Sequence, residues 1–524
     1  MDDPVPPLAA AFPEAHEHVE THISHVFLSP GEVFKVKKPV DFGFLDFRTL
    51  DARRRACEAE VRLGRRLSPD VYLGVVPIVR DARGVVRRAA PDSVGDVVDV
   101  AVHMRRLPDA HRADIRLREG RLDANALETI ATRLVAFFAT ARKTPVYGDP
   151  RFVRRNVDEN FEQTRSALVQ ILGPREAEAL RRFQYGRLAH LEPVLRRRAW
   201  CGRAIDGHGD LRLEHVYVDD AGTVRIIDCV EFNERLRCGD VAADLAFLSM
   251  DLAYHGRSDL AERLVARVAE GLHDFGLYQV VDFFESYRAH VRAKIETFVR
   301  DAPGVTAARR EAAGRRARRY ARLAEAAGRP PLVEPFVLAI TGGIGVGKST
   351  LARAVADRYA APLVGTDATR KFMLGVSPTQ SLAADPHTGA YDPMVTDAVY
   401  DEVLRRADRV LASGRPVVLD GTFGARTHRA RILRLAARHG VRVVVVVGRL
   451  DRAERLARLA RRARGPSESD GRAEILDALD AAVEAPDDLP DTVRLDLDLS
   501  RPLEENITVL DRTLRVSSLP PSLP

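Results

Sequence analysis

The sequence predicts two domains of different class: an α+β domain over residues 1–330 and an α/β domain with a parallel sheet over 331–515, followed by a short tail over 516–524. Three observations predict this. The chain has 524 residues, too many for one hydrophobic core. Its first part runs through short β-branched stretches and then long amphipathic helices, whereas its last third alternates buried-type strands with helices. Between the two, Gly328-Arg329-Pro330-Pro331 interrupts an Arg- and Ala-rich helical pattern and marks the boundary.

Composition excludes several classes. With 45% hydrophobic and 30% charged residues, the chain has the profile of a folded protein rather than a disordered one. Its longest apolar run, near Val443–Val447, is far too short to span a bilayer, so no membrane partner is expected. The N-terminus opens on Asp2 and Asp3 without a basic and then apolar segment, so no secretory leader is expected. Cys57, Cys201, Cys229 and Cys238 show no CxxC spacing and read as reduced thiols of a cytoplasmic protein. The formal charge is +6, with basic residues spread along the chain. That spread fits the handling of polyanionic nucleotides, with a nucleic-acid partner as the competing reading. Ser517–Pro524 is Ser- and Pro-rich and is expected to be disordered.

In chain order, His16, His18, His22 and His25 have mixed spacing among glutamates. They fit a solvated helix followed by a strand rather than a metal site. Val26–Leu28 and Val33–Val36 are strand-like runs around the turn signal Ser29-Pro30-Gly31. Leu50–Leu67 is a charged helix. Val75–Val79 and Val97–Met104 are further strands, and long amphipathic helices fill 123–198. A strand–loop–strand region spans His208–Phe232, and helices return until about Ala327.

The chemistry of the first domain centres on His208-Gly209-Asp210-Leu211-Arg212-Leu213-Glu214-His215, which precedes the strand Val216–Val218. Asp228 follows the strand Val224–Ile227. Together they resemble the aminoglycoside phosphotransferase branch of the protein-kinase-like fold. The resemblance covers about Val26 to Arg300 and implies that Asp210 is the catalytic base and Asp228 a magnesium ligand. One carboxylate then orients and deprotonates an acceptor hydroxyl, while metal ions neutralise the triphosphate. Protein kinases place Asn five residues after the catalytic Asp; here His215 stands there. Imidazole suits transition metals better than a hard ion, so the site binds one metal differently, favours manganese, or is weakened. In Glu32–Lys37, Lys35 and Lys37 share a face. The resemblance implies that one of them, Lys35 for preference, meets the nucleotide phosphates, anchored by Glu58 or Glu60, with Glu60 preferred. It places the adenine hinge at Val100–Met104. No Gly-rich loop lies upstream, so the phosphate-covering strand pair is expected to be short or absent. Asp240 and Asp244 match the following helix and are expected to be structural.

In the second domain, Phe336–Ile340 reads as a buried parallel strand. It leads into Gly342-Gly343-Ile344-Gly345-Val346-Gly347-Lys348-Ser349-Thr350, which satisfies GxxxxGK[ST] between a strand and a helix. Backbone N–H groups at such a loop curl around phosphate oxygens and the helix start adds a positive end. Lys348 reaches the β- and γ-phosphates and Ser349 holds magnesium. Ala361–Thr366 and Pro416–Leu419 are strands ending in Asp367 and Asp420; arginines crowd the segment from Arg449 to Arg462. This order resembles the gluconate kinase, zeta-toxin and polynucleotide kinase group. The resemblance implies that Asp367 binds the acceptor hydroxyl, that Asp420 belongs to the metal shell, and that Arg458 and Arg461 are lid arginines.

The pairing of the two domains resembles a bacterial family of aminoglycoside phosphotransferase-like proteins with an AAA-type ATP-binding domain. It implies ATP and magnesium as cofactors, with manganese as an option in the first domain. The leading functional reading is an ATP-dependent kinase acting on a small-molecule hydroxyl. A regulatory ATP-binding switch and a nucleic-acid end kinase are the rivals.

Overall fold

The computed structural model describes residues 8–43, 45–89, 95–326, 332–382, 388–465 and 467–514. The tail expected over 516–524 lies outside the described residues. The chain forms two compact units, one of residues 1–251 with 287–324, the other of residues 252–286 with 325–524.

The first unit opens with six strands: β1 (Glu17–Glu20), β2 (Ser24–Leu28), β3 (Glu32–Lys37), β4 (Tyr72–Arg80), β5 (Val86–Arg88) and β6 (Asp96–Arg105). They make one antiparallel sheet of order β1-β2-β3-β6-β4-β5. Alternation along β3 sets its two faces. Phe34 and Val36 join a core with Phe12, Phe27, Ile78 and Ala101. Val33, Lys35 and Lys37 point to the opposite side, where Val33 packs on a cluster that includes Cys57 and Val61 of the helix Leu50–Gly64. That helix starts at Thr49, whose side chain caps the Ala52 N–H. Its buried stripe includes Ala56, Cys57, Glu60, Val61 and Gly64, while Glu58 is exposed.

One sequence expectation changes here. His18 lies in strand β1, paired with β2, and its ring stacks on His25 and Phe27; a helix cannot make those cross-strand contacts. Val100–Met104 lie inside β6, between β3 and β4, so sheet pairing on both sides occupies the backbone there.

The helical half contains Ala124–Thr140, Pro150–Leu172 and Pro174–Trp200. Then come β7 (Ala204–Asp206), β8 (Val216–Val218), β9 (Val224–Ile226) and β10 (Cys238–Asp240), paired as β7–β10 and β8–β9. The helix Val241–Tyr254 follows.

The second unit is built on a five-stranded parallel sheet of order β12-β13-β11-β14-β15, with β11 (Phe336–Thr341), β12 (Leu363–Gly365), β13 (Val417–Asp420), β14 (Arg442–Arg449) and β15 (Arg494–Asp498). All six residues of β11 are buried, as a strand covered on both faces requires. Phe336, Leu338 and Ile340 pack with Leu351, Val355, Val446 and Leu510. The helix Ser258–Gly271 belongs to this unit. Glu262 binds Arg415 (2.6 and 3.1 Å), and Asp282, beyond that helix, takes the same guanidinium (2.7 and 3.3 Å). Glu270 accepts the Leu363 N–H at 2.8 Å.

Candidate phosphoryl-transfer sites

In the first unit the loop His208–His215 enters β8, and Asp228 leaves β9. Because β8 and β9 form a hairpin, the two segments meet. His208 Nε2–H donates to the Ile227 carbonyl (2.9 Å), and Nδ1 accepts the Asp210 N–H (3.3 Å). Burial lowers the His208 pKa, which suits this neutral tautomer. Asp244 accepts the His208 and Gly209 N–H groups (2.5 and 2.8 Å), and Asp251 accepts that of Leu213 (3.0 Å). Gly209 has φ +88°, and a Cβ there would stand 3.1 Å from the Arg237 backbone; glycine is the residue that tolerates both. Asp240 is held by Arg198 through two bonds of 2.7 and 2.8 Å.

Around Asp228 the charges converge. Lys35 Nζ donates to Asp228 Oδ1 (2.6 Å) and to Glu60 Oε1 (2.9 Å). Glu60 Oε2 takes Lys37 at 2.5 Å, and Lys37 also pairs with Glu231. Burial opposes the charge on Lys35, but Asp228 and Glu60 outweigh it and hold the ammonium well above its ordinary range. Burial likewise works against the Asp228 carboxylate, yet Lys35 and His215 hold it far below the usual range. Asp228 has φ +65°, and its N–H donates to the Tyr72 hydroxyl (2.9 Å). Tyr72 reaches it because Gly64 has no side chain: a Cβ there would come within 2.3 Å of the tyrosine ring. Burial raises the Asp210 pKa, but Arg212, His215 and Arg292 more than offset this and leave it lowered. Arg212 Nε donates to Asp210 at 3.1 Å.

Lys35, Glu60, Asp210, His215 and Asp228 are thus brought together. The sequence reading gave no role to Glu231, Tyr72, Arg212 or Asp251 and no partner to Lys37. Arg212 lies inside the motif and Glu231 three residues after Asp228, whereas Tyr72 and Asp251 lie far from it along the chain.

In the second unit the Walker loop follows β11. Gly342, Gly345 and Gly347 have φ of 136°, 77° and 104°, values that only glycine adopts freely. Lys348 Nζ donates to the Gly343 carbonyl (2.8 Å). Gly365 pairs with Asp420, so Asp367, two residues on, stands at the same C-terminal sheet edge as Asp420 and the loop. Ligands of open parallel sheets bind at that edge. Burial lowers the Lys348 pKa against the opposing pull of Asp420 and Asp367. Burial raises that of Asp420, against Lys348 and a hydrogen bond with Ser349. Arg455 Nε donates to the Ile344 carbonyl (2.9 Å), and its other nitrogens bind Asp480 (2.7 Å each). Arg458 donates to the Val346 and Leu499 carbonyls (3.0 Å each) and to Glu454 (2.6 Å). Both arginines brace the loop backbone, whereas Arg461 is exposed. Arg370 is buried, stacked on Tyr391 and bonded to the Ala390 carbonyl (2.6 Å).

Fold and sites define a class: a unit with an antiparallel sheet and a buried Lys35–Glu60–Asp228 cluster, joined in one chain to a parallel-sheet unit that carries a P-loop. Residues 337–486 match the AAA domain family AAA_33. The uncharacterized protein Rv2004c of Mycobacterium tuberculosis (strain H37Rv) is 33% identical over 469 residues, covering 88% of this chain and 89% of that protein. The chain belongs to the family of that mycobacterial protein. Among solved structures, the GDP complex of wild-type aminoglycoside 2'-phosphotransferase-IIIa is 14% identical with a TM-score of 0.37, covering 61% of this chain and 97% of that one. A gluconokinase from Sinorhizobium meliloti 1021 is 19% identical with a TM-score of 0.25, covering 34% of this chain and 92% of that one.

Proposed function

We propose that this protein is an ATP-dependent phosphotransferase acting on a hydroxyl group of a small molecule, with one nucleotide site in each unit. The observation that carries the reading is Lys35 held between Glu60 and Asp228, beside the Asp210 loop. An ammonium shared in this way is placed to exchange its carboxylate partner for nucleotide phosphates. Asp210, kept ionised by Arg212, takes the proton of the acceptor hydroxyl. In the second unit Lys348 and the loop N–H groups take the phosphates, and Asp367 orients an acceptor. Arg458 braces the loop, and Arg461, exposed, is the lid arginine.

The donors fit magnesium held jointly with phosphate oxygens: Asp228 in the first unit, Ser349 with Asp420 in the second. Among the described residues no three His, Cys, Asp or Glu form a cage, so phosphate and water oxygens would complete each shell. The bound cation supplies neutralisation of triphosphate charge. Four free cysteines, three of them buried, fit a cytoplasmic setting.

A metabolite extract incubated with γ-labelled ATP tests the proposal. Label should enter a small molecule, and Asp210→Asn should lower the first unit's turnover by about 10²–10⁴-fold. Nucleotide binding without any labelled product would favour a switch. Label on oligonucleotide ends, weakening steeply with salt, would favour a nucleic-acid acceptor.

A further inference from the structure

We infer that His215 is a cation ligand of the first unit and makes that site select a first-row transition-metal ion such as manganese over magnesium. The inference rests on the nucleotide site proposed above and names the ion that site takes.

His215 ends the short helical turn Leu213–His215 at the entrance to β8. Its Nδ1 lies 2.8 Å from the Asp210 backbone carbonyl. A carbonyl only accepts, so Nδ1 carries a proton; a metal-binding imidazole is neutral, and in that form the lone pair belongs to Nε2. Anchoring one ring nitrogen on a backbone carbonyl is how a metal-binding imidazole is oriented. The residue is 8% exposed, and Nε2 makes no hydrogen bond among the described residues. It faces Asp228 Oδ2 at 3.6 Å. Lys35 occupies the other oxygen, Oδ1, which leaves Oδ2 for a cation. Glu214 Oε1 is also 3.5 Å from Nε2, but Arg212 already pairs with it.

Two donors in one octahedral shell at about 2.1 Å stand about 3 Å apart, so Nε2 and Oδ2 need to close by only roughly half an ångström. Magnesium prefers oxygen throughout its shell, whereas imidazole is a good ligand for transition metals. One nitrogen among oxygens therefore shifts preference without abolishing either ion's binding.

Pulsed electron paramagnetic resonance on the full chain tests this, with manganese and a non-hydrolysable ATP analogue. Protein labelled with ¹⁵N-histidine separates imidazole nitrogen from adenine nitrogen. A ¹⁵N coupling to manganese is expected in the wild type and should vanish in His215→Asn. Competition titrations should show the manganese-to-magnesium affinity ratio falling by about 10-fold or more in the same variant, the scale of a lost metal-site group. The wild-type coupling is read without any variant, so a misfolded His215→Asn does not blunt the test. Manganese bound at both sites without histidine coupling, or an unchanged ratio in a folded variant, overturns the inference and leaves the nucleotide site standing. A first unit that binds neither ion with nucleotide overturns the site as well.

Discussion

In the second unit the proposed phosphate-binding groups are consecutive, Gly342 to Thr350, between one strand and one helix. In the first unit the proposed site draws on four places: Lys35 on β3, Glu60 on the next helix, Asp210 before β8 and Asp228 after β9. Lys35 and Asp228 are 193 positions apart. The consecutive site is built of backbone, so glycine conformation and close approach sustain it. The dispersed site is built of buried charges, so its integrity depends on every carboxylate meeting its ammonium. Breaking a buried pair strands a charge and costs far more than the intact pair contributes. The two units should therefore fail in different ways.

The largest contrast is expected from Lys348→Ala. If each unit binds its own nucleotide, calorimetry on the full chain should show two binding events in the wild type and one in the variant. Retention of both would break the comparison at its base. Lys37→Met probes the other design. Lys37 has no accessible side-chain surface and does not approach Asp228 closely enough to pair, yet its loss leaves Glu231 and one oxygen of Glu60 unmatched. The first unit should lose about 3–5 kcal/mol in urea unfolding, with the second unit's transition unchanged; a neutral result would show that the buried chain of charges is dispensable.

Gly64→Ala is expected to cost less, about 1–3 kcal/mol from overpacking against Tyr72. It should also weaken cation binding in the first unit, since the Tyr72 hydroxyl fixes Asp228. Wild-type cation affinity in a folded variant would cut Tyr72 out of the site. The gentlest effect is a pH slope, read one pH unit at a time. Burial lowers the His290 pKa from 6.5 to about 3, and its Nε2–H meets the Thr164 hydroxyl at 2.9 Å. Between those values the unfolded chain binds one more proton than the folded one. This residue's contribution is thus constant above 6.5 and falls as pH drops toward 3, by about 1.4 kcal/mol per pH unit. Subtracting the stability curve of His290→Leu from that of the wild type should reveal the slope; parallel curves would refute it.

The same contrast explains what could be read in advance. The strand, glycine loop and helix of the second unit are encoded within fifteen residues, and local periodicity and backbone sterics suffice to recognise them. Most strands of the first unit were visible for the same reason, as alternation around turn residues. The histidines near the N-terminus were not: among glutamates their spacing suits a solvated helix, and only pairing with β2 makes Glu17–Glu20 a strand. Nothing in Val100–Met104, expected as an adenine hinge, says that β3 and β4 flank it on both sides.

The sequence by itself determined that Asp210 and Asp228 flank a strand pair, that Lys35 and Lys37 share a face, and that the residues Gly342–Thr350 include a glycine loop between a strand and a helix. These follow from neighbours along the chain, where spacing fixes direction. Only the tertiary structure decided which lysine meets Asp228, that Glu60 and not Glu58 turns inward, that Glu231 takes Lys37, and that His215 Nε2 faces a carboxylate. Each of those outcomes depends on the phase at which one element packs on another. That phase is set by the whole core, not by the few residues that carry the charge.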